Sequence, residues 1–369
     1  MNMTNNPSVA PSTALRRLPA EWENQDCVLL AWPHENTDWA YILPEARRCI
    51  ADIVHAITDG GQCVALVGPE EFCLPSILEQ NFDPLRVKFF DIPTNDTWAR
   101  DFGPITVESD GSLLLLDFKF NGWGLKFAAD KDNLITSRLA AMNLFDAEVE
   151  NCLNFVLEGG SIESDGDNTL LTTAECLLSP NRNGQWDRRQ ISDYLRKAFG
   201  LNHVLFLNHG ALIGDDTDSH IDTLARLAPG DTIIYCGPGE PGNPNHTELQ
   251  KMKEELATLR TPSGQPYNLI ELPLPDTIEM DGEILPATYA NFLITPTQIL
   301  MPTYGQERKD RLAAQTLKIA FPDHEIRGID CIPLIRQHGS LHCVTMQLPS
   351  GSVKEIRDGQ WISTSSGNS

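Results

Sequence analysis

Four short stretches of this 369-residue chain gather side chains able to do chemistry. One holds a thiol: His338-Gly339-Ser340-Leu341-His342-Cys343-Val344-Thr345-Met346-Gln347-Leu348. Val344, Met346 and Leu348 alternate with Cys343, Thr345 and Gln347, which predicts a strand over His342–Leu348 with Cys343 on its polar face. A thiol placed so, after a Gly-Ser loop and beside two histidines, is a candidate nucleophile. An inert cysteine, one among nine, is the competing reading. A second stretch, Gly214 to Thr223, sets Asp215, Asp216, Asp218 and Asp222 around His220. In an extended segment His220 and Asp222 share a face, which suits acid/base work or substrate orientation. A solvated acidic loop or a metal site would also fit, although EF-hand spacing is missing.

The other two stretches are poorer in nucleophiles and richer in carboxylates. Asn95 to Pro104 carries Asp96, Trp98, Arg100 and Asp101 ahead of Gly-Pro, a loop signal. An unpaired carboxylate there can grip a cation and Trp98 can offer it a π face; an Arg100–Asp101 pair closing a turn fits equally. Leu157-Glu158-Gly159-Gly160-Ser161 puts Glu158 at the end of an apolar run, before two glycines that let backbones approach closely. It has no GxGxxG or GKS context, so it is no phosphate loop, and a hairpin or bulge is its plain alternative. Should the four converge, they supply a thiol, an imidazole and at least three carboxylates. So much negative charge is wrong for a peptide carbonyl, which needs oxyanion donors. It suits a carbon that is already cationic, such as a guanidinium, whose planar N–H groups carboxylates accept in pairs.

The elements that must position these residues are mainly short strands. Strand patterns recur at Cys27–Ala31, Cys63–Val67, Val87–Asp91, Leu113–Phe118, Thr169–Thr172, His203–Leu207, Thr232–Tyr235, Phe292–Thr295 and Ile299–Met301. Helical periodicity is clear over Glu45–Thr58, Arg188–Phe199, Thr247–Leu259 and Gln306–Phe321, with Thr247 and Gln250 spaced as a capping box. The class is α/β. Helices do not separate every pair of strands, so a doubly wound sheet fits poorly and a closed or radial set of small sheets fits better.

Composition narrows the function. The net charge of −23 removes the basic footprint of a nucleic-acid binder; it either favours encounter with cationic small molecules or serves solubility alone. No apolar run approaches the ~18–20 residues of a membrane span. The nine cysteines are scattered without a CxxC pair, and the polar N-terminus lacks a signal-peptide core. These features predict a cytoplasmic protein with free thiols. Residues 1–16 and 363–369 are expected to be mobile terminal segments flanking one domain over 17–362.

Taken in order, Glu21-Trp22-Glu23, Leu30-Ala31-Trp32-Pro33, Thr97-Trp98-Ala99-Arg100-Asp101-Phe102-Gly103-Pro104, Leu157-Glu158-Gly159-Gly160, Asn181-Arg182-Asn183, Asp218-Ser219-His220-Ile221-Asp222 and Leu341-His342-Cys343 span nearly the whole chain. Together they resemble the agmatine deiminase and Porphyromonas-type peptidylarginine deiminase family of the guanidine-modifying superfamily. The resemblance implies a single-domain, five-bladed, pseudo-symmetric α/β propeller (the pentein fold) and a hydrolase without metal or cofactor. It implies Cys343 as nucleophile, His220 as general acid/base, Asp101 and Asp222 on the guanidinium nitrogens, and Glu158 supporting that grip. Trp98 would line the substrate slot, Asp216 would lie near the substrate's distal amine, and Asn291 would lie near the site.

The expected activity is hydrolysis of agmatine to N-carbamoylputrescine and ammonia through an amidino-thioether on Cys343, serving putrescine formation. The alternatives are deimination of free or peptidyl arginine, for which Arg182 is the candidate carboxylate partner, or a non-catalytic polyamine-binding protein. No nucleic-acid or membrane partner is expected, and a homodimer is left open. The sequence departs from the family pattern where glycine is usual: Ser219 precedes the histidine, Leu125 follows Trp123-Gly124, and Gln337-His338-Gly339-Ser340 stands for Gly-Gly-Gly-Asn.

Overall fold

The computed structural model describes residues 15–354, 356–357 and 359–361. The expected tail 363–369 and residues 1–14 of the expected N-terminal segment lie outside them, whereas Arg16 pairs in a short strand, Arg16–Arg17, with Ile105–Ser109.

Five sheets among the described residues share one pattern: a first strand antiparallel to a second, and the second parallel to a third. The sets are Ile105–Ser109, Ser112–Lys119 and Glu148–Val156; Ile162–Ser164, Thr169–Thr173 and His203–Leu207; and Ala225–Ala228, Thr232–Cys236 and Asn268–Leu272. The fourth is Leu293–Ile294, Gln298–Thr303 and Glu325–Asp330. In the fifth, Met346–Pro349 near the C-terminus pairs with Gln25–Ala31, which runs parallel to Cys63–Gly68 and then Val87–Asp91. An early and a late segment of the chain, Gln25–Ala31 and Met346–Pro349, therefore meet in one sheet.

A parallel pair cannot be joined by a tight turn, so each second-to-third step carries a helix. Four of these are the helices read from periodicity. Leu43–Asp59 buries Ala46, Ile50, Ile53 and Ile57 along one stripe. Arg188–Phe199 starts at a capping box between Asp187 and Gln190 and stops at Gly200, whose φ of 70° few other residues would adopt. Glu307–Ala320 matches its expected span. The remaining one runs from His246 to Leu256 and lacks the expected Thr247–Gln250 box. Its cap is Asn245, whose own N–H is held by the Asn243 side chain while its Oδ1 accepts from Ile213 N–H at 2.8 Å. The turn at Asn243 thus starts the helix before Thr247 can cap it.

The expected strand over His342–Leu348 is also corrected. His342–Val344 is a single 3-10 turn, and pairing begins at Met346. The amides of His342 and Cys343 are taken by the Asn291 side chain, so they join no ladder. Cys343 is buried in that turn and does not lie on a polar strand face. No helix of the described residues is long and apolar enough to cross a membrane.

Candidate active site

The chemistry-bearing residues occupy equivalent places. Each lies in the connection that leaves the last strand of one sheet and enters the first strand of the next. Asp101 is in the turn Ala99–Phe102 before Ile105, and Glu158 precedes the turn Gly159–Ser161 before Ile162. His220 and Asp222 straddle the start of the turn Ile221–Thr223 before Ala225. Asn291 lies just before Leu293, and Cys343 just before Met346. His220 and Asp222 therefore meet through a tight turn and not along an extended face.

The geometry joins them around one point. Cys343 Sγ is 3.3 Å from Asn291 Oδ1 and 3.9 Å from Asp222 Oδ2. His220 Nδ1 is 3.6 Å from Asp101 Oδ1. Asp101 is aimed by two donors, the Trp123 indole N–H at 2.9 Å and the Gly160 N–H at 3.1 Å. A Cβ on Gly160 would sit 2.7 Å from His220 Nδ1, 2.8 Å from Asp101 Oδ1 and 3.0 Å from Asp222 Oδ2. Only glycine allows this approach. Both ring nitrogens of His220 and Oδ1 of Asp222 are buried without a hydrogen-bond partner. Native proteins rarely leave such atoms unpaired, so these three mark where a polar ligand would complete the set.

The protonation landscape follows from burial and close charges. Burial, with Asp222 and Asp101 adding to it, pushes the Cys343 thiol well above its usual range. Burial alone would lower the His220 pKa, yet Asp101, Cys176 and Glu158 outweigh it and hold the imidazole well above its ordinary value. Burial raises Asp101 to about 6 despite His220 beside it. Burial would also raise Asp222, but the hydrogen bond and charge of His342 keep it below the ordinary carboxylate range.

The cluster opens into a cleft of about 390 Å³ lined by Trp98, Asp101, Trp123 and Cys343 inside, with Asp38, Asp96, Asp216, Phe127 and His338 further out. Trp98 lies on this wall, tilted against Trp39 at 5.5 Å, and a side chain on Gly339 would run into its ring. Asp216, half-buried here, is pushed up by burial and by Asp215. Asn291, expected beside the substrate, is placed behind the thiol. Its Oδ1 accepts from the His342 and Cys343 N–H groups and its Nδ2 donates to Asp222 O at 3.3 Å.

Glu158 is held through both oxygens by Arg182 Nε at 3.0 Å, and Arg182 also meets Asp218 at 2.5 Å and Thr217 O at 2.8 Å. Arg182, the expected partner for a substrate carboxylate, is fully buried in this task and does not line the cleft. Two buried trios bring ligand-type atoms within 4.8 Å of one another among the described residues: Glu158–Cys176–His220 and Glu21–Glu163–His342. Arg182 neutralises the carboxylate of the first, and Arg226 both carboxylates of the second, so these donor sets are satisfied as ion pairs.

Trp123 and Cys176 were not singled out from the sequence. Trp123 stands in Asn121-Gly122-Trp123-Gly124, where flanking glycines bracket a residue at φ 54°, and that bracket was the available signal. The departures from glycine have a common structure. Leu125 (φ 69°), Ser219 (φ 63°) and His338 (φ 66°) all adopt the left-handed region that favours glycine.

Comparison with known proteins shows the family and the fold. The family model of Porphyromonas-type peptidyl-arginine deiminase matches residues 17–349. A Legionella pneumophila protein named "Putative agmatine deiminase" is 32% identical over 349 residues, 93% of this chain and 98% of the relative. A structure named for a "Putative Arginine Deiminase" of Porphyromonas gingivalis is 46% identical with TM-score 0.84, covering 92% of this chain and 100% of that one. A cysteine-to-serine variant of the C. jejuni agmatine deiminase with substrate bound is 37% identical with TM-score 0.84, over 90% of this chain and 96% of that one.

Proposed function

Because the chain belongs to the Porphyromonas-type peptidyl-arginine deiminase family, whose named relatives are hydrolases of carbon–nitrogen bonds, we propose that it is an agmatine deiminase. The observation that carries this reading is the cleft. Besides the thiol and Asp101, its lining carries Asp38, Asp96 and Asp216, and no lysine or arginine. An amine-tailed guanidine is attracted there at both ends. A tail carrying a carboxylate meets a lining in which the aspartates outnumber the one basic side chain, His338.

In the reaction, Asp101 and Asp222 accept the guanidinium N–H groups and hold the planar carbon over Cys343, which lowers the entropic part of the barrier. Burial disfavours a thiolate, and the bound cation supplies the charge that makes it favourable, the thiol proton passing to solvent as the substrate binds. Cys343 Sγ bonds to the guanidinium carbon. One C–N bond then breaks, its electron pair leaving with nitrogen, and His220 delivers the proton that releases ammonia. The amidino-thioether is attacked by a water that gives its proton to His220. The C–S bond breaks with its electron pair returning to Cys343 as thiolate, the remaining hydroxyl proton passes to solvent, and N-carbamoylputrescine leaves.

We read the five like-patterned sheets as five blades about a pseudo-fivefold axis, with the reacting residues on the five inter-blade connections. The test is ammonia and ureido-product release with agmatine, free arginine and a blocked peptidyl arginine, with Cys343→Ala alongside. Turnover of agmatine alone, abolished in the variant, is expected. Preferential turnover of free or peptidyl arginine overturns the substrate assignment, and turnover by Cys343→Ala overturns the nucleophile.

A further inference from the structure

The mechanism leaves one buried histidine unused. His342 precedes the nucleophile and is wholly enclosed. Its Nδ1 is 2.7 Å from Asp222 Oδ2, and its Nε2 is 2.7 Å from Glu21 Oε2. Glu21 is anchored in turn: Oε1 accepts from Ile294 N–H at 2.7 Å and Oε2 accepts from Arg226 Nη2 at 2.8 Å. Arg226 continues to Glu163, and the Arg100 guanidinium stands 3.8 Å from Glu21. The backbone N–H of His342 is fixed by Asn291 at 2.9 Å. The ring is therefore held at two points and its backbone at a third, so it cannot swing.

Carboxylate oxygens only accept hydrogen bonds, so each 2.7 Å contact is met by an N–H and the ring donates from both nitrogens. Arg226 Nη2 lies 3.1 Å from Nε2 because both donate to the same Glu21 oxygen. The consequence falls on Asp222. Its Oδ2 is spoken for, while Oδ1 is buried and unpartnered. A carboxylate held by one oxygen presents the other in a fixed direction.

We propose, on the deiminase reading above, that His342 is a positioning residue: as a two-armed donor braced by Glu21, it holds Asp222 by one oxygen so that the other meets the substrate guanidinium. Its positive charge also offsets the Asp222 charge next to the Cys343 sulfur. Asp222, Glu21 and Arg226 are the charged groups in contact with it, and Glu163 and Arg100 stand one contact further out, on Arg226 and Glu21.

The two amide replacements of histidine separate this role from a merely structural one. An asparagine amide sits where Nδ1 sits and can keep the Asp222 contact, while Glu21 stays paired with Arg226. A glutamine amide reaches the Nε2 position and keeps Glu21 but abandons Asp222. His342→Asn is expected to retain kcat/KM within about tenfold. His342→Gln is expected to lose about 10²-fold, mostly in KM, the scale of a misplaced binding group. Gln equal to or better than Asn, or both equal to wild type, overturns the proposal.

The kinetic arm uses whichever guanidine substrate the wild type turns over, so failure of the agmatine assignment leaves this comparison standing. Should a variant not fold, the wild type decides. Proton–nitrogen spectra of histidine-labelled protein, with His220→Asn used to remove the other ring of the site, are expected to show two ring N–H signals for His342, one facing Asp222 and one facing Glu21, and a single ring N–H there overturns the two-armed donor.

Discussion

Adding one methyl group at position 160 tests whether the site is the convergence described. Gly160→Ala puts a Cβ 2.7 Å from His220 Nδ1, 2.8 Å from Asp101 Oδ1 and 3.0 Å from Asp222 Oδ2. Ordinary contact begins at 3.4 Å, so the three groups must retreat by about 0.7, 0.6 and 0.4 Å (3.4 less each distance). They surround the methyl and cannot all retreat the same way. The retreat also breaks the Gly160 N–H bond that aims Asp101. Overpacking of this size costs roughly 1–3 kcal/mol of stability in a close-packed interior. Displacing binding and acid/base groups by a sizeable fraction of an ångström costs up to about 10²-fold in kcat, or about 2.7 kcal/mol of barrier. The assay is steady-state ammonia release, with near-UV circular dichroism to confirm packing. The control is Gly242→Ala, where a Cβ meets nothing within 4 Å and the backbone is not left-handed. A folded Gly160→Ala with kcat within about twofold of wild type would refute the reasoning, since the three groups would then not close on that point.

Two further outcomes follow from the charges and the backbone. Burial raises Asp101 to about 6, so in the free protein the grip is ionised above that pH and protonated below it. A plot of kcat/KM against pH is expected to fall on the acid side with an apparent pKa about 6, and a limb near 4 would show that Asp101 is not the group titrating. Leu125, exposed at φ 69°, bears a left-handed cost of roughly 1–2 kcal/mol, against about 0.5–1 kcal/mol for the extra chain entropy of glycine. Leu125→Gly is therefore expected to raise Tm by about 1–2 °C in thermal unfolding, and a fall in Tm would mean that the leucine makes contacts worth more than its strain.

Much of the site was legible because its chemistry needs particular residue types. A thiol, an imidazole and a surplus of carboxylates, gathered in four short stretches, point to a cationic carbon once the stretches converge. The ordered motifs from Glu21 to Cys343 then identified the family. The helices were legible too: Leu43–Asp59, Arg188–Phe199 and Glu307–Ala320 carry apolar stripes on one face, and a periodicity of that kind is a local property of the sequence.

What the sequence could not decide was set by long-range contact. Alternation over Val344–Leu348 looked like a strand reaching back to Cys343, but Asn291, distant in sequence, captures the amides of His342 and Cys343 and makes a turn. Arg182 looked available to a substrate and is consumed by Glu158 and Asp218. The five sheets share a pattern of pairing and not of residues, so no repeat could be read along the chain. That shared pattern places Asp101, Glu158, His220, Asn291 and Cys343 on five like connections. The sequence by itself determined which groups are present and the reaction class they suit. The tertiary structure decided which of them face the cleft and which serve behind it, because a side chain's partners are fixed by whichever connection is packed beside it.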